Sequence, residues 1–208
     1  MHDLAARRVR GDVPDTLILL EHAPVFTAGR RSRDEDLLWS KDRIESRGGE
    51  VHRIDRGGAF TFHGPGQLVV YPVLDLGVRP DLGRYLRDLE EVVIRSGLEV
   101  GVELHRRDDV QTGVWRGDEK VCAIGVRLMR ARVTLHGLAL NCDTDLTWFE
   151  GIVPCGLADH GVTSLSRITG RRVTVDQMLP IVEHHAREIF ELVDGPVLEP
   201  RQARPMMA

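Results

Sequence analysis

Between Gly113 and Leu140 three strand-like segments follow one another, Gly113 to Trp115, Val121 to Leu128 and Val133 to Leu140, with only short turns between them. A doubly wound parallel sheet needs a helical crossover between most strands, and none fits here. Thr16 to Leu20, Val51 to Ile54, Leu68 to Leu74 and Val102 to Leu104 read as further strands. Strands therefore outnumber helices and come in neighbouring runs. That pattern predicts an α+β fold, a single domain with a mixed β-sheet and flanking helices packed on one side.

Two long helices complete the pattern. Asp81 follows Pro80 and is placed to cap the first, which carries Leu82, Leu86, Leu89, Val92 and Val93 at spacings near three and four and ends at Gly97 or Gly101. Thr174 and Gln177 form a capping-box pattern that opens the second, through Ile181, Val182, Ala186 and Ile189. Pro180 lies in its early turns and is expected to bend it or remove one hydrogen bond. Leu146 to Phe149 reads as a short helical piece, and Arg31 to Gly49, rich in charge, as loop. The domain is expected over 1–194. A poorly ordered tail over 195–208 is expected from Pro196, Pro200 and Pro205.

The 208 residues suit one domain, and a hydrophobic content of 42% with 29% charged residues is ordinary for a soluble globular chain. A net charge of -4 argues against general nucleic-acid binding. No apolar stretch approaches membrane-spanning length, and M-H-D-L-A-A-R-R-V-R lacks the apolar core of a signal peptide, so a cytoplasmic location is expected. Three cysteines are too few for a disulfide framework, and free thiols are expected.

Of the 28 basic side chains only Lys41 and Lys120 are lysine. Arginine replaces lysine wherever charge alone is needed, but not where an amine must release a proton. Lys120 stands at the lip of an apolar run, K-V-C-A-I-G-V, beside Asp118 and Glu119. It reads either as a surface lysine or as a functional amine. Cys155, in I-V-P-C-G, lies in a turn, where a cysteine is exposed to chemistry. Cys122, among Val121, Ala123 and Ile124, reads as core. Cys142 stands beside Asp143, whose charge disfavours a thiolate. A lysine ammonium near Cys155 would lower its thiol pKa.

The passage R-G-G-A-F-T-F-H-G-P-G-Q-L-V carries Gly57, Gly58, Gly64 and Gly66, which let a backbone approach a ligand. Arg56 and His63 are candidates to bind or orient polar groups, although His63, like His136 in T-L-H-G-L-A-L, is equally readable as structural. No G-x-x-x-x-G-K-[ST] or G-x-G-x-x-G pattern is present, so this is not a phosphate or dinucleotide loop. No C-x-x-C or H-E-x-x-H pair occurs, and the adjacent His184 and His185 do not easily face one ion, so no metal site is expected.

Taken together and in order, E-H-A-P-V-F-T-A-G-R, R-G-G-A-F-T-F-H-G-P-G-Q-L-V-V-Y-P, K-V-C-A-I-G-V-R, T-L-H-G-L-A-L-N and I-V-P-C-G resemble the lipoyl(octanoyl) transferases of lipoate biosynthesis, over about Asp15 to Leu165. The resemblance implies the fold of lipoate- and biotin-protein ligases. It implies transfer of an octanoyl group from octanoyl-acyl carrier protein to a lysine of a lipoyl domain, in 2-oxoacid dehydrogenase complexes or the glycine cleavage H protein. Cys155 matches the family's acyl-thioester nucleophile and Lys120 the partner that lowers its pKa. The segments matching the acyl pocket are Arg56, Gly57, Gly58, Ala59, Phe60, Thr61, Phe62 and His63; Ala123, Ile124 and Gly125; and Gly137, Leu138 and Ala139. No cofactor is implied, since thioester exchange is near balance and thioester to amide is downhill without ATP. Rival readings are an ATP-dependent lipoate or biotin ligase of the same fold and an inactive relative that binds acylated carrier protein.

Two further expectations follow. Arg30, Arg31 and Arg33, or Arg127, Arg130 and Arg132, would form a basic face for acidic carriers. Relatives carry a strand and a longer helix before the position of Asp15; here L-A-A-R-R-V-R-G reads as the end of that helix, and loss of the strand would leave a sheet edge unpaired. The chain is expected to be a monomer.

Overall fold

A computed structural model describes residues 1–107, 112–153 and 161–192, together with the backbone of Val197–Leu198. Its main sheet is built from β1 (Thr16–Leu20), β5 (Gln67–Val73), β6 (Gly113–Arg116), β7 (Glu119–Met129), β8 (Val133–Asn141), β9 (Gly161–Val162) and β10 (Val197–Leu198). The spatial order is β10-β1-β5-β8-β7-β6, with β9 on β7. The pairs β1·β5, β5·β8, β7·β8 and β6·β7 are antiparallel, as the short turns of the sequence require. The contacts of β10 with β1 and of β9 with β7 are parallel, so the sheet is mixed. β10 pairs with the β1 edge at Leu17 and Ile18, so this edge of the sheet is not left bare there.

A second, three-stranded sheet has the order β3-β2-β4, from β2 (Val25–Ala28), β3 (Glu50–Arg53) and β4 (Phe60–His63). Between β2 and β3 the chain makes a 3-10 turn at Asp34–Asp36 and the helix α2 (Lys41–Ser46), where loop was expected. Ser40 accepts the Arg43 N–H and starts that helix, and Ile44 buries beneath it. Such a short, charged helix carries too little apolar periodicity to be read from sequence. Val102 to Leu104 is not a strand; its place is taken by an isolated bridge of His105 to Trp115.

α3 (Leu82–Glu99) and α5 (Val175–Ile189) begin where their caps predicted. The Asp81 carboxylate accepts the Arg84 N–H at 2.8 Å, and Thr174 with Gln177 completes a reciprocal capping box. α5 continues through Pro180. Both helices bury Leu89, Val92, Val93, Met178 and Val182 against Leu17, Leu68, Val121 and Leu140 of the sheet. The short helix α4 (Leu165–Thr169) buries Leu165 in the same core. On another part of the sheet, α1 (His2–Arg10) packs Ala5, Leu4 and Val9 on Val73, Val133 and Leu135. Helices therefore cover more than the one side that the sequence suggested. Beneath the small sheet, Phe26, Trp39, Phe62 and Trp148 form an aromatic cluster, with Phe62 and Trp148 stacked at 5.0 Å between ring centroids. No helix among the described residues is long and apolar enough to cross a membrane.

Candidate active site

The two tripeptides Ala123-Ile124-Gly125 and Gly137-Leu138-Ala139 are direct cross-strand partners: Ala123 faces Ala139, Ile124 faces Leu138 and Gly125 faces Gly137. Side chains alternate along a strand, so Ala123, Gly125 and Ala139 share one face of β7 and β8, and Gly137, whose Cβ position would point at β5 main chain, also lines the cavity there. Ile124 and Leu138 join the core packed by α3 and α5 and also line the cavity, as expected. Four small residues thus leave a shallow floor on the sheet. Above it lies a cavity of about 410 Å³, within the range of small-molecule sites. Its walls come from Arg56, Gly57, Gly58, Thr61 and His63, and from Tyr71, Leu82 and Leu86.

Alternation also divides the segment 56–63. Thr61 and His63 line the cavity, whereas Phe60 and Phe62 point into the aromatic cluster. Ala59 is buried and does not line the cavity either. These three were expected in the pocket; they support it from behind. Arg56 lines the cavity, but its guanidinium also folds back to clamp the loop to β2. It donates from Nη2 to the Thr27 carbonyl at 2.6 Å and to Thr27 Oγ1 at 2.8 Å, and from Nη1 to the Gly57 carbonyl at 2.9 Å. The clamp requires glycine at position 29, since a Cβ there would lie 2.4 Å from the Gly58 carbonyl oxygen. The turn after His63 is held from the residue that follows β1: Glu21 accepts the Gly66 N–H at 2.7 Å, and Gly66 has φ 81°, a conformation costly for other residues.

Sequence reasoning left His63 and His136 ambiguous; both line the cavity. His63 is buried, and its Nδ1 lies 2.8 Å from Gln67 Oε1. Burial, with His22, Arg56 and His136 nearby, pushes its pKa down to about 3, so the imidazole is neutral near pH 7. His136 has φ 62°, unusual for a non-glycine residue within a strand, and its Nε2 is 2.8 Å from Asp55 Oδ1. Asp55 also pairs with Arg127, and burial, with Arg56, His2 and Arg127 nearby, holds His136 down to about 4. Tyr71, a cavity residue missed from sequence, bonds His22 Nε2 through its hydroxyl at 2.9 Å, and burial raises its pKa to about 12. Leu82 and Leu86, read only as a helix face, close the cavity from α3.

Lys120 is the second residue of β7 and is only 8% exposed, which sets aside the surface-lysine reading. Its stem passes Gly113, where a Cβ would lie 3.2 Å from Lys120 Cε, and its Nζ lies 4.7 Å from the centroid of Trp115. The neighbour of Gly113, Thr112, lines the cavity together with Ala123. Val162 of β9 is the strand partner of Lys120, and Thr163 N donates to the Lys120 carbonyl at 2.9 Å. Cys155 lies outside the described residues. Cys122 and Cys142 are buried free cysteines; burial raises both thiols, Cys142 to about 12, with Glu21 and Asp143 adding to it.

Of the arginines expected to form basic faces, Arg33 is paired with Asp36 and Glu35, Arg127 with Asp55, and Arg132 with Asp75. Arg30 is exposed and Arg31 lines the cavity. Two groups of donor atoms lie within 4.8 Å of one another: His2, Asp55 and His136; and His184, His185 and Glu188. The second group runs against the expectation that adjacent histidines do not easily face one ion. In the first, Arg127 competes for the Asp55 carboxylate.

Comparison with known proteins accords with this architecture. Octanoyltransferases of Rubrobacter xylanophilus and Koribacter versatilis are 52% and 45% identical, over 82% and 88% of this chain and 77% and 75% of theirs. Among solved structures, a lipoate-protein ligase A bound with ATP superposes with a TM-score of 0.77 at 18% identity, covering 97% of this chain and 83% of that one. A putative lipoate protein ligase from T. acidophilum with bound lipoic acid gives 0.73 at 17% identity, over 89% and 76%. Residues 1–187 match the lipoyl protein ligase A/B catalytic domain, and the chain belongs to that family.

Proposed function

We propose that this chain is an octanoyltransferase that moves an octanoyl group from octanoyl-acyl carrier protein to a lysine of a lipoyl domain, using Cys155 as the nucleophile and Lys120 as its proton partner. The observation that carries the reading is the setting of Lys120. It is buried, its stem packs beside Gly113, the neighbour of the cavity residue Thr112, and its backbone pairs with Val162, seven residues beyond Cys155 in sequence. Relatives at 45–52% identity bear the name octanoyltransferase, which supports the same chemistry. Cys122 and Cys142 make poor nucleophiles, because burial holds both thiols protonated.

The reaction has two half-reactions. The Cys155 thiolate attacks the carrier thioester carbonyl, a C–S bond forms to Cys155, the bond to the pantetheine sulfur breaks, and the Lys120 ammonium gives that sulfur its proton. The amine of the lipoyl-domain lysine then attacks the Cys155 thioester. An amide forms, the thiolate leaves, and neutral Lys120 takes the amine proton, which restores the starting state. The small-residue floor of β7 and β8 seats the acyl chain, and backbone N–H groups near Cys155 and the Gly-rich loop stabilise the oxyanion. The protein works as a cytoplasmic monomer on the lipoyl domains of 2-oxoacid dehydrogenase complexes and the glycine cleavage H protein. Transfer from purified octanoyl-carrier to a lipoyl domain without ATP tests the reading. Transfer only when ATP and free octanoate are supplied would assign the chain to the ligases instead.

A further inference from the structure

A chain of buried amides runs behind the cavity. Gln67 of β5 and Asn141 of β8 are cross-strand partners, 1% and 4% exposed. Gln67 Nε2 lies 3.1 Å from the Phe62 carbonyl oxygen and 2.8 Å from Asn141 Oδ1, and Asn141 Nδ2 lies 3.0 Å from the Thr163 carbonyl oxygen. Main-chain carbonyls only accept, so both ends of this chain are fixed. The Gln67 atom facing Phe62 must be its NH₂, and the Asn141 atom facing Thr163 must be its NH₂. Gln67 Oε1 therefore faces His63 and accepts, so His63 Nδ1 must carry the proton. Its Nε2 is then unprotonated and able to accept, and among the described residues it has no hydrogen bond, while His63 lines the cavity.

We propose that Gln67 and Asn141 are positioning residues that lock His63 in the Nδ1–H tautomer and so present its Nε2 to the cavity as a hydrogen-bond acceptor for a substrate N–H. Burial reinforces the arrangement by keeping the ring neutral. Two N–H donors approach the acyl carbonyl in the transfer reading above, on which the substrate's identity rests. They are the amide of the pantetheine arm in the first half-reaction and the attacking lysine amine in the second. The same amide chain ends on Thr163, whose N–H bonds the Lys120 carbonyl. It therefore ties the acceptor histidine to the strand pair that holds Lys120.

The test has two readouts. Long-range ¹H–¹⁵N correlation spectra of histidine-labelled protein near pH 7, with His63 assigned by loss of its signals in His63→Gln, should show Nδ1 protonated and Nε2 bare. A protonated Nε2 or an imidazolium at His63 overturns the proposal, and this measurement on the unmodified chain needs no variant to fold. Gln67→Leu should lose the single-tautomer signature. It should also slow one half-reaction in single-turnover assays by about tenfold or more, the scale of one lost oriented hydrogen bond. Slowing of Cys155 acylation assigns the N–H to the pantetheine arm, and slowing of transfer from acylated enzyme assigns it to the lysine amine. Wild-type rates in both, in a variant whose tautomer signature is lost, overturn the proposal. A chain that shows the Nδ1–H tautomer but never acylates Cys155 sinks the transfer reading and leaves the positioning of His63 standing.

Discussion

Gly137→Ala tests whether the cavity rests on the sheet as described. A Cβ at Gly137 would lie 2.1 Å from the Val70 carbonyl oxygen and 2.8 Å from Pro72 Cδ. The nearest atom is main chain of β5, so no side-chain rotation relieves the clash. β5 must retreat by roughly 1 Å to regain ordinary carbon–oxygen contact. Yet the strand spacing is fixed by the Val70–Leu138 and Val69–Ala139 pairs immediately after it. Overpacking of this kind costs about 1–3 kcal/mol. For a domain of this length each kcal/mol moves Tm by about 2–4 °C, so a fall of roughly 2–12 °C is expected in thermal unfolding followed by circular dichroism. Octanoyl transfer should fall further, by about 100-fold, because misplacing the reacting geometry by 1 Å is enough for that loss. Gly83→Ala is the control. Its Cβ meets only Asp81 Oδ1 at 3.4 Å inside the first turn of α3, so it should gain about 0.5 kcal/mol and keep its activity. A Gly137→Ala protein that melts and transfers like wild type would refute the β5–β8 register and the floor built on it.

Lys120→Arg keeps the positive charge and removes the mobile proton; turnover should drop by about 100-fold or more with little change in carrier KM, measured by steady-state transfer. Full activity would reduce Lys120 to a fixed charge. His63→Gln should flatten the acid limb of stability. The folded ring titrates near 3 and the unfolded one near 6.5, so stability is fully present above 6.5 and is lost as pH falls toward 3. Urea unfolding from pH 6 to 4.5 should show a wild-type slope steeper by about 1.4 kcal/mol per pH unit; His136 and His22, also lowered by burial, add to both proteins alike. Arg30→Glu should raise the carrier KM several-fold at low salt and little at high salt, whereas Arg33→Glu, at a site already paired with Glu35 and Asp36, should do less.

Much of this fold is local and therefore legible. The caps Asp81 and Thr174, the apolar run of β5 and the short turns around β7 and β8 all act over a few residues. What escaped reading depends on partners distant in sequence. β4 hides in the Gly-rich passage because its identity comes from pairing with β2, and its alternation, which sends Phe60 and Phe62 away from the cavity, appears only with that pairing. α2 was hidden by its charge. The two cavity tripeptides were matched separately, but that they face each other is a register, which no residue announces. Likewise Gln67 and Asn141 are 74 positions apart. A glutamine four residues after His63 was visible in H-G-P-G-Q, and that proximity was the one available signal for the tautomer lock.

The central claim is that Cys155 carries the acyl group. Intact-mass analysis followed by peptide mapping, after incubation with octanoyl-carrier protein, should find one octanoyl group on Cys155, released by a lipoyl domain or by hydroxylamine and absent in Cys155→Ser. An unmodified chain that still transfers octanoyl at full rate, or an adduct on Cys122 or Cys142 instead, would contradict it.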